Sequence, residues 1–195
     1  MLEEIITNLI ECGEILEKNQ LTVIDNLKNL NEGHIIYFFE YIDPYIQNVI
    51  DFVISGLEQN QYSLIIENDR IIPLIQKGLK DLLSDTQLNK IKFVNNYDFY
   101  FAKGSFQCAS IFDYLPRLIK GYSKQTFSVR SWAHVEWGDV LKVQENLTNS
   151  EKEADVIVKE NRLLSVCAYD SVRVSETTRN RLITHHNFLI HDYSS

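Results

Sequence analysis

Seven side chains in this sequence have chemical types and positions that suit ligand binding. They are imidazole, thiol, phenol and carboxylate groups within or directly after predicted buried strands, namely His34, Tyr37, Glu40, His134, Glu136, Cys167 and Asp170. In parallel α/β sheets, ligands gather beyond the carboxyl ends of the strands. We therefore expect most of these groups to line a binding site at that edge, and we assign none of them a catalytic role.

His134 and Glu136 are alternate residues of one predicted strand, so their side chains share a face. A carboxylate this close raises the pKa of an imidazole, or the two groups hold a ligand or metal together. A hydrogen-bonded pair packed with Trp132 in an aromatic layer explains the same residues without a ligand. The sequence leaves both interpretations open.

Cys167 lies in a later predicted strand and Asp170 at the exit of that strand. A buried cysteine usually packs as a small hydrophobe, although a thiol, an imidazole and carboxylates at neighbouring strand ends would suit a borderline-soft metal. No short-range pair of ligands supports a metal, so we expect no metal ion and no other cofactor. His34 begins the first strand, away from the carboxyl ends, which favours a structural role.

Alternating apolar strands and helices must position these groups. Strands are predicted at residues 34–39, 62–66, 92–95, 128–137, 163–169 and 188–191. Helices are predicted at 43–57, 69–83, 105–122, 138–160 (interrupted near 146–150) and 175–185, with 97–101 ambiguous between strand and loop. Strands joined by helical crossovers form a mostly parallel sheet with helices on both faces, so the fold class is α/β.

The first 32 residues form a separate segment of the prediction. Apolar residues at helical spacing predict an N-terminal helical extension over residues 1–32, followed by one α/β domain over residues 33–195. The extension either packs on the core or serves as a dimerisation or signal-output helix. A homodimer is therefore one of the arrangements that the sequence leaves open.

The turn after the first predicted strand is informative because it lacks a phosphate-binding motif. The opening strand–helix–strand unit resembles that of RecA/KaiC-type ATPases, in which this turn carries GxxxxGK[ST] and wraps the phosphates. Here residues 40–45 read Glu-Tyr-Ile-Asp-Pro-Tyr, with no glycine, no lysine and two carboxylates. Bulky side chains and like charges exclude a polyphosphate, so we expect no ATP hydrolysis by this route and no enzyme.

The bulk composition indicates which kinds of binding partner and which cellular compartment to expect. The 195 residues carry a formal net charge of −8, which disfavours direct binding to nucleic acid. Three cysteines without a CxxC pair indicate neither a disulfide framework nor a cysteine-rich zinc site. No apolar run reaches the roughly 18 residues of a membrane span, and the N-terminus has no signal-peptide pattern. We expect a cytoplasmic protein without membrane contact.

Several strings along residues 33–193 resemble the MEDS domain, named for methanogens, methylotrophs and a dichloromethane-responsive regulator. They are His34 before Ile-Ile-Tyr-Phe-Phe, Gly56-Leu57 followed by Leu-Ile-Ile-Glu67, Arg130-Ser-Trp-Ala-His-Val-Glu-Trp137, Val166-Cys-Ala-Tyr-Asp170 and His185-His186.

The resemblance implies a RecA-like fold without nucleotide chemistry, used in prokaryotic signal transduction to sense small, hydrocarbon-like molecules. It also implies a partner protein such as a histidine kinase or a transcription regulator. The alternative is a ligand-free interaction module on a degenerate ATPase scaffold, in which the sheet and its helices serve only as a docking surface.

Overall fold

A computed structural model of the chain describes residues 20–21, 27, 30–101, 128–136 and 140–191. These residues contain one parallel sheet with strand order β1-β7-β2-β6-β5-β3-β4. The strands are β1 (Gln20–Leu21), β2 (Gly33–Phe39), β3 (Tyr62–Glu67), β4 (Ile91–Asn95), β5 (Val129–His134), β6 (Leu164–Asp170) and β7 (Phe188–His191).

Helices follow the strands in sequence. They are α1 (Ile42–Glu58), α2 (Ile72–Lys80), α3 (Asp85–Leu88), α4 (Asn96–Phe101), α5 (Val140–Glu160) and α6 (Glu176–Ile183), with one turn of 3-10 helix at Ser171–Arg173. The α/β class and the mostly parallel sheet predicted from the sequence are confirmed. None of the helices in the described part of the chain is long and apolar enough to cross a bilayer.

The alternation of side chains along each strand divides the core into two layers. On one face, residues such as Tyr37, Trp132 and Val166 pack against α1 and α2. On the other face, Phe38 and Cys167 pack in the same core as buried residues of α5 and α6. Because the strands are buried on both faces, they read as nearly continuous apolar runs in the sequence.

The long helix α5 is continuous, so the interruption expected near residues 146–150 is wrong. Asn146, Asn149 and Ser150 are weak helix formers. Leu147 and Ser150 are nevertheless buried, with 2% exposure each. Packing of this face on the sheet therefore outweighs the low intrinsic propensity.

The aromatic segment after β4 is neither strand nor loop but the short helix α4. Asn95 accepts a hydrogen bond from the backbone N–H of Asp98 (3.0 Å), which satisfies a donor of the first turn. Phe99 and Tyr100 are buried against the sheet. The short α3, which begins after a Ser84–Gln87 capping box, has no counterpart in the sequence prediction.

The other element bounds agree closely with the prediction, apart from helix starts. Helix α1 begins at Ile42, before the expected cap at Asp43. Helix α2 begins at Ile72, after a turn in which Asn68, not Asp69, accepts backbone hydrogen bonds. Ser175 caps α6 as expected, because its hydroxyl accepts from the Thr178 N–H (3.2 Å).

Part of the prediction concerns residues outside the described ones. The helix expected at 105–122 is such a segment, as are residues 1–19 of the predicted N-terminal extension. Within that extension, Gln20 and Leu21 form β1, which pairs in parallel with β7.

Candidate functional site

Four side chains that bind metals elsewhere in proteins converge in the core between the sheet and α5. They are His34 at the start of β2, Glu151 of α5, Cys167 of β6 and His186 just before β7, and we call them the α5-side cluster. One ligand atom from each residue lies within 4.8 Å of those of the other three. His34 and Cys167 are both candidates from the sequence, and the structure brings them together.

The distances within this cluster are short. His34 Nε2 lies 3.3 Å from Cys167 Sγ and 3.4 Å from Glu151 Oε2. His186 Nε2 lies 3.3 Å from the same Glu151 oxygen. The two imidazole rings stack, with centroids 3.9 Å apart. All four groups therefore face one small volume.

Backbone carbonyls fix the tautomer of both histidines. His34 Nδ1 lies 3.0 Å from the carbonyl oxygen of His185, and His186 Nδ1 lies 2.7 Å from that of Leu182. A carbonyl oxygen only accepts hydrogen bonds, so each Nδ1 carries the proton. Each Nε2 is consequently the ring nitrogen that faces the cluster.

Glu151 is a buried carboxylate that is only half satisfied. Its Oε1 accepts a hydrogen bond from the hydroxyl of Tyr169, whereas its Oε2 and His186 Nε2 form no hydrogen bond within the described part of the chain. Burial alone raises the pKa of Glu151, but the neighbouring His186 and His34 lower that pKa to about 2. Burial lowers the pKa of His186. The cluster thus holds an ionised carboxylate against two imidazole rings.

Asp155, one turn further along α5, approaches the cluster from behind His34. Its Oδ1 lies 3.7 Å from His34 Nδ1, and its Oδ2 accepts from Lys159 (2.6 Å). The carboxylate can therefore orient the His34 ring from the side opposite the other three groups.

A small cavity adjoins the cluster. Its volume is about 30 Å³, and Cys167 and Glu151 form part of its wall. The rest of the lining is mostly apolar and consists of Ile66, Phe99, Tyr100, Ala133, Ala154, Ile157 and Val158, with Ser131, Ser150 and Ser165. The Ser131 hydroxyl donates to that of Ser165 (2.9 Å), so these two hydroxyls are satisfied by each other.

A second buried polar cluster lies on the opposite face of the sheet, beneath α1. His134 Nδ1 donates to Glu67 Oε1 (2.7 Å), and the backbone N–H of Asn68 donates to the same oxygen (2.7 Å). The hydroxyl of Tyr45 donates to Glu67 Oε2 and accepts from Trp132 Nε1 (3.1 Å). We call Glu67, His134, Tyr45 and Trp132 the α1-side cluster.

The remaining sequence candidates do not form one pocket. His134 pairs with Glu67 and not with Glu136. Glu136 lies beyond the end of β5, where its carboxylate forms an ion pair with Arg173 (2.6 Å). Tyr37 is buried in the α1-side core, where its hydroxyl accepts from Asn48 (2.8 Å).

The two remaining carboxylates also lie apart from the clusters. Asp170 caps the 3-10 turn by accepting from the Val172 N–H (3.0 Å), and Glu40 is exposed after β2. The seven candidates are thus distributed over both faces and the carboxyl edge of the sheet.

Sequence reasoning misses five buried residues of the two clusters as site residues, namely Tyr45, Glu67, Trp132, Glu151 and His186. The sequence pattern places His186 at the end of a helix and Glu67 only within a strand motif. Glu151 has a usable signal: it falls between Leu147 and Ala154 on the helical spacing of α5, where a lone carboxylate on an apolar stripe is unusual.

Two comparisons with known proteins concern the family and the fold of the chain. A family model described as "MEDS: MEthanogen/methylotroph, DcmR Sensory domain" matches residues 33–187. A solved structure of an ATPase domain superimposes with a TM-score of 0.56 at 8% identity, covering 99% of this chain and 83% of that chain. At that identity the likeness concerns the fold alone. No curated protein matches the sequence significantly.

Proposed function

This chain belongs to the MEDS family of sensory domains, and we propose that it binds a small, largely apolar molecule and regulates a partner protein in response. The proposal assigns no reaction to the chain. Residues 40–45, from the end of β2 into the first turn of α1, hold two carboxylates and neither the glycines nor the lysine that phosphate binding requires.

The observation that carries the proposal is the cavity between the sheet and α5. Its volume of about 30 Å³ exceeds the ~10–15 Å³ that one water-sized molecule needs, so a ligand of one to a few heavy atoms is the right size. Cavities with apolar walls disfavour water, which needs two to four polar partners, and accept apolar molecules. A small hydrocarbon derivative meets both conditions.

Helix α5 is the element through which the ligand would act on a partner. Ala154, Ile157 and Val158 of α5 line the cavity, and Val156 on the same helix is 49% exposed. A ligand that separates α5 from the sheet therefore changes the position of an exposed helical surface. The partner, in this proposal a histidine kinase or a transcription regulator, reads that surface.

The alternative, a ligand-free docking module, is favoured by a different observation. Three large apolar side chains follow strands at the carboxyl edge and are exposed, namely Tyr41 (66%), Tyr97 (63%) and Val172 (84%). Exposed apolar side chains in one region are typical of a protein interface. Under this alternative, filling the cavity would leave partner binding unchanged.

A cavity-filling substitution tests the proposal. Ala154→Val adds two methyl groups towards the cavity, and we expect it to abolish the chemical-shift changes that dichloromethane or dissolved xenon causes in residues around the cavity. Val156→Ile adds one methyl group on the exposed side of the same helix and should leave these changes intact.

Two results would overturn the proposal. One is the absence of ligand-dependent shifts around the cavity in the unmodified protein with either probe. The other is equal binding of both probes by Ala154→Val and Val156→Ile, with circular dichroism confirming that both variants are folded.

A further inference from the structure

We propose that His34, Glu151, Cys167 and His186 bind one zinc ion. From the sequence we considered a metal beside Cys167 but did not identify Glu151 or His186 as ligands. The inference is independent of the ligand proposed for the cavity. It also departs from our expectation that the chain needs no metal, which rested on the lack of ligands close together in sequence. The fold supplies the ligands from four separate elements instead.

Three of the distances between ligand atoms agree with tetrahedral coordination, and the four atoms lie within 4.8 Å of one another. Zinc binds nitrogen and oxygen at about 2.0–2.1 Å, so two such ligands at a tetrahedral angle are ~3.3–3.4 Å apart. The observed separations from Glu151 Oε2 are 3.4 Å to His34 Nε2 and 3.3 Å to His186 Nε2. Cys167 Sγ lies 3.3 Å from His34 Nε2, close to the ~3.5 Å expected for a nitrogen–sulfur pair.

The second argument is the orientation of the two imidazoles. Zinc-binding histidines nearly always donate their other ring N–H to a carbonyl or carboxylate, which fixes the lone pair on the metal-facing nitrogen. His34 donates to the His185 carbonyl and His186 to the Leu182 carbonyl. Both rings are therefore fixed in the tautomer that zinc-binding histidines adopt, before any ion is considered.

The third argument is that the cluster needs a cation. Glu151 Oε2 and His186 Nε2 lie 3.3 Å apart, are buried, and form no hydrogen bond in the described part of the chain. Buried polar atoms in native proteins nearly always have a partner. One cation between these two atoms would satisfy both. His34 Nε2, which accepts from the Cys167 thiol (3.3 Å), would bind the same ion once the thiol has lost its proton.

Charge balance and ligand type favour zinc over Mg²⁺ and Ca²⁺. The Cys167 thiol loses its proton to solvent as the zinc–sulfur bond forms, so one thiolate and one carboxylate neutralise the +2 charge. A neutral site suits a region where all four side chains are buried or nearly so. Nitrogen and sulfur ligands exclude Mg²⁺ and Ca²⁺, which prefer oxygen.

Four protein ligands close the coordination sphere, as in structural zinc sites. The ion would tie β2, α5, β6 and the segment before β7 to one another. Because Glu151 and Cys167 also line the cavity, the metal would fix the wall against which the proposed ligand packs.

Cobalt(II) substitution tests the site by spectroscopy. In the full chain with Cys12→Ser and Cys108→Ser, Cys167 is the only thiol, so a thiolate-to-cobalt charge-transfer band identifies it as a ligand. We expect that band together with the strong visible absorption of tetrahedral cobalt at one equivalent. Titration against a chromophoric chelator should give a zinc Kd in the nanomolar range or tighter.

Variants separate the four ligands from their neighbours. Cys167→Ser should remove the charge-transfer band and weaken zinc binding about 100-fold, at the upper end of what loss of a supporting group alone causes. His186→Gln should weaken binding to a similar degree, whereas His185→Gln, the adjacent histidine whose side chain is not in the cluster, should bind like the parent.

The proposal is overturned if the single-thiol protein gives no charge-transfer band, or if Cys167→Ser and His185→Gln bind zinc equally well. The spectrum of the single-thiol parent decides the matter even if a ligand variant does not fold. These measurements use no small-molecule ligand, so their failure would leave the proposed sensing function standing, and the reverse also holds.

Discussion

The two buried polar clusters lie on opposite faces of the same sheet and differ in how completely their atoms are satisfied. In the α1-side cluster, both oxygens of Glu67 accept hydrogen bonds from His134, Tyr45 and the Asn68 backbone. In the α5-side cluster, one oxygen of Glu151 accepts from Tyr169, while the other forms no hydrogen bond within the described part of the chain.

This difference indicates which cluster supports the fold and which binds something. A fully satisfied buried network rigidifies the core and has no atom left for a ligand. Unsatisfied polar atoms in a buried network lower the stability of the metal-free protein, and a bound cation removes that loss. The sequence favoured a structural role for His34 and left the role of His134 open, so it did not distinguish the two clusters in this way.

Matched glutamate-to-glutamine substitutions test the comparison most strongly, because their effects should differ in size. In Glu67→Gln, the amide N–H₂ replaces one of two oxygens that both accept hydrogen bonds, so it faces a donor, and we expect a loss of about 3 kcal/mol in the free energy of unfolding. In Glu151→Gln, the amide oxygen still accepts from Tyr169. The N–H₂ replaces an oxygen that accepts no hydrogen bond within the described part of the chain, so we expect a smaller loss of about 1 kcal/mol.

Urea denaturation in the presence of a chelator measures both changes, and Glu153→Gln on the exposed side of α5 is the control. Equal destabilisation by Glu67→Gln and Glu151→Gln would show that the α5-side cluster is also a satisfied structural network. The distinction between the two clusters would then be lost.

The increase in stability on adding zinc is a second test of the difference between the two clusters. An ion that binds only the folded state stabilises it by about 2.7 kcal/mol at 100 times its Kd. We expect this increment in the unmodified chain and also in Glu67→Gln, since the clusters lie on opposite faces and should contribute additively. In Glu151→Gln the increment should nearly vanish. Loss of the increment in Glu67→Gln would instead mean that the two faces are coupled.

The sequence predicted the fold better than the site, for a physical reason. Strands buried on both faces are continuous apolar runs, and helix caps such as Ser175 are local signals. Both can be seen in short windows of sequence. The exceptions are residues 96–101 and 146–150, where contacts with the sheet decide the conformation and local propensity does not.

The candidate site depends on contacts between residues far apart in the chain. His34 and Glu151 are 117 positions apart in the sequence, and no local spacing relates them. The rule that ligands gather at the carboxyl edge directed attention to Glu136 and Asp170, which the structure uses for an ion pair and a cap. Of the two α5-side cluster residues that sequence reasoning missed, Glu151 has a local signal, because it is a charged residue on an apolar helical stripe.

The smallest expected effect comes from Asp155, which approaches His34 without belonging to the cluster. A carboxylate beside the N–H of a zinc-binding histidine orients the ring and increases its basicity, and losing it costs about 10-fold to 100-fold in metal affinity. Since His34 Nδ1 also donates to the His185 carbonyl, Asp155→Asn should weaken zinc binding only about 10-fold, at the low end of that range.

A purely structural role for Asp155 predicts a different result. It would lower the stability of the chelated protein and leave the zinc Kd unchanged, whereas we expect the stability to change by less than about 0.5 kcal/mol. Glu153→Gln removes a charge of the same sign from the exposed face of α5 and controls for long-range electrostatics. If both variants weaken zinc binding equally, Asp155 acts through its charge alone. A selective 10-fold loss in Asp155→Asn would instead place it as the positioning residue for His34, which would make the α5-side cluster a metal site with its own supporting carboxylate.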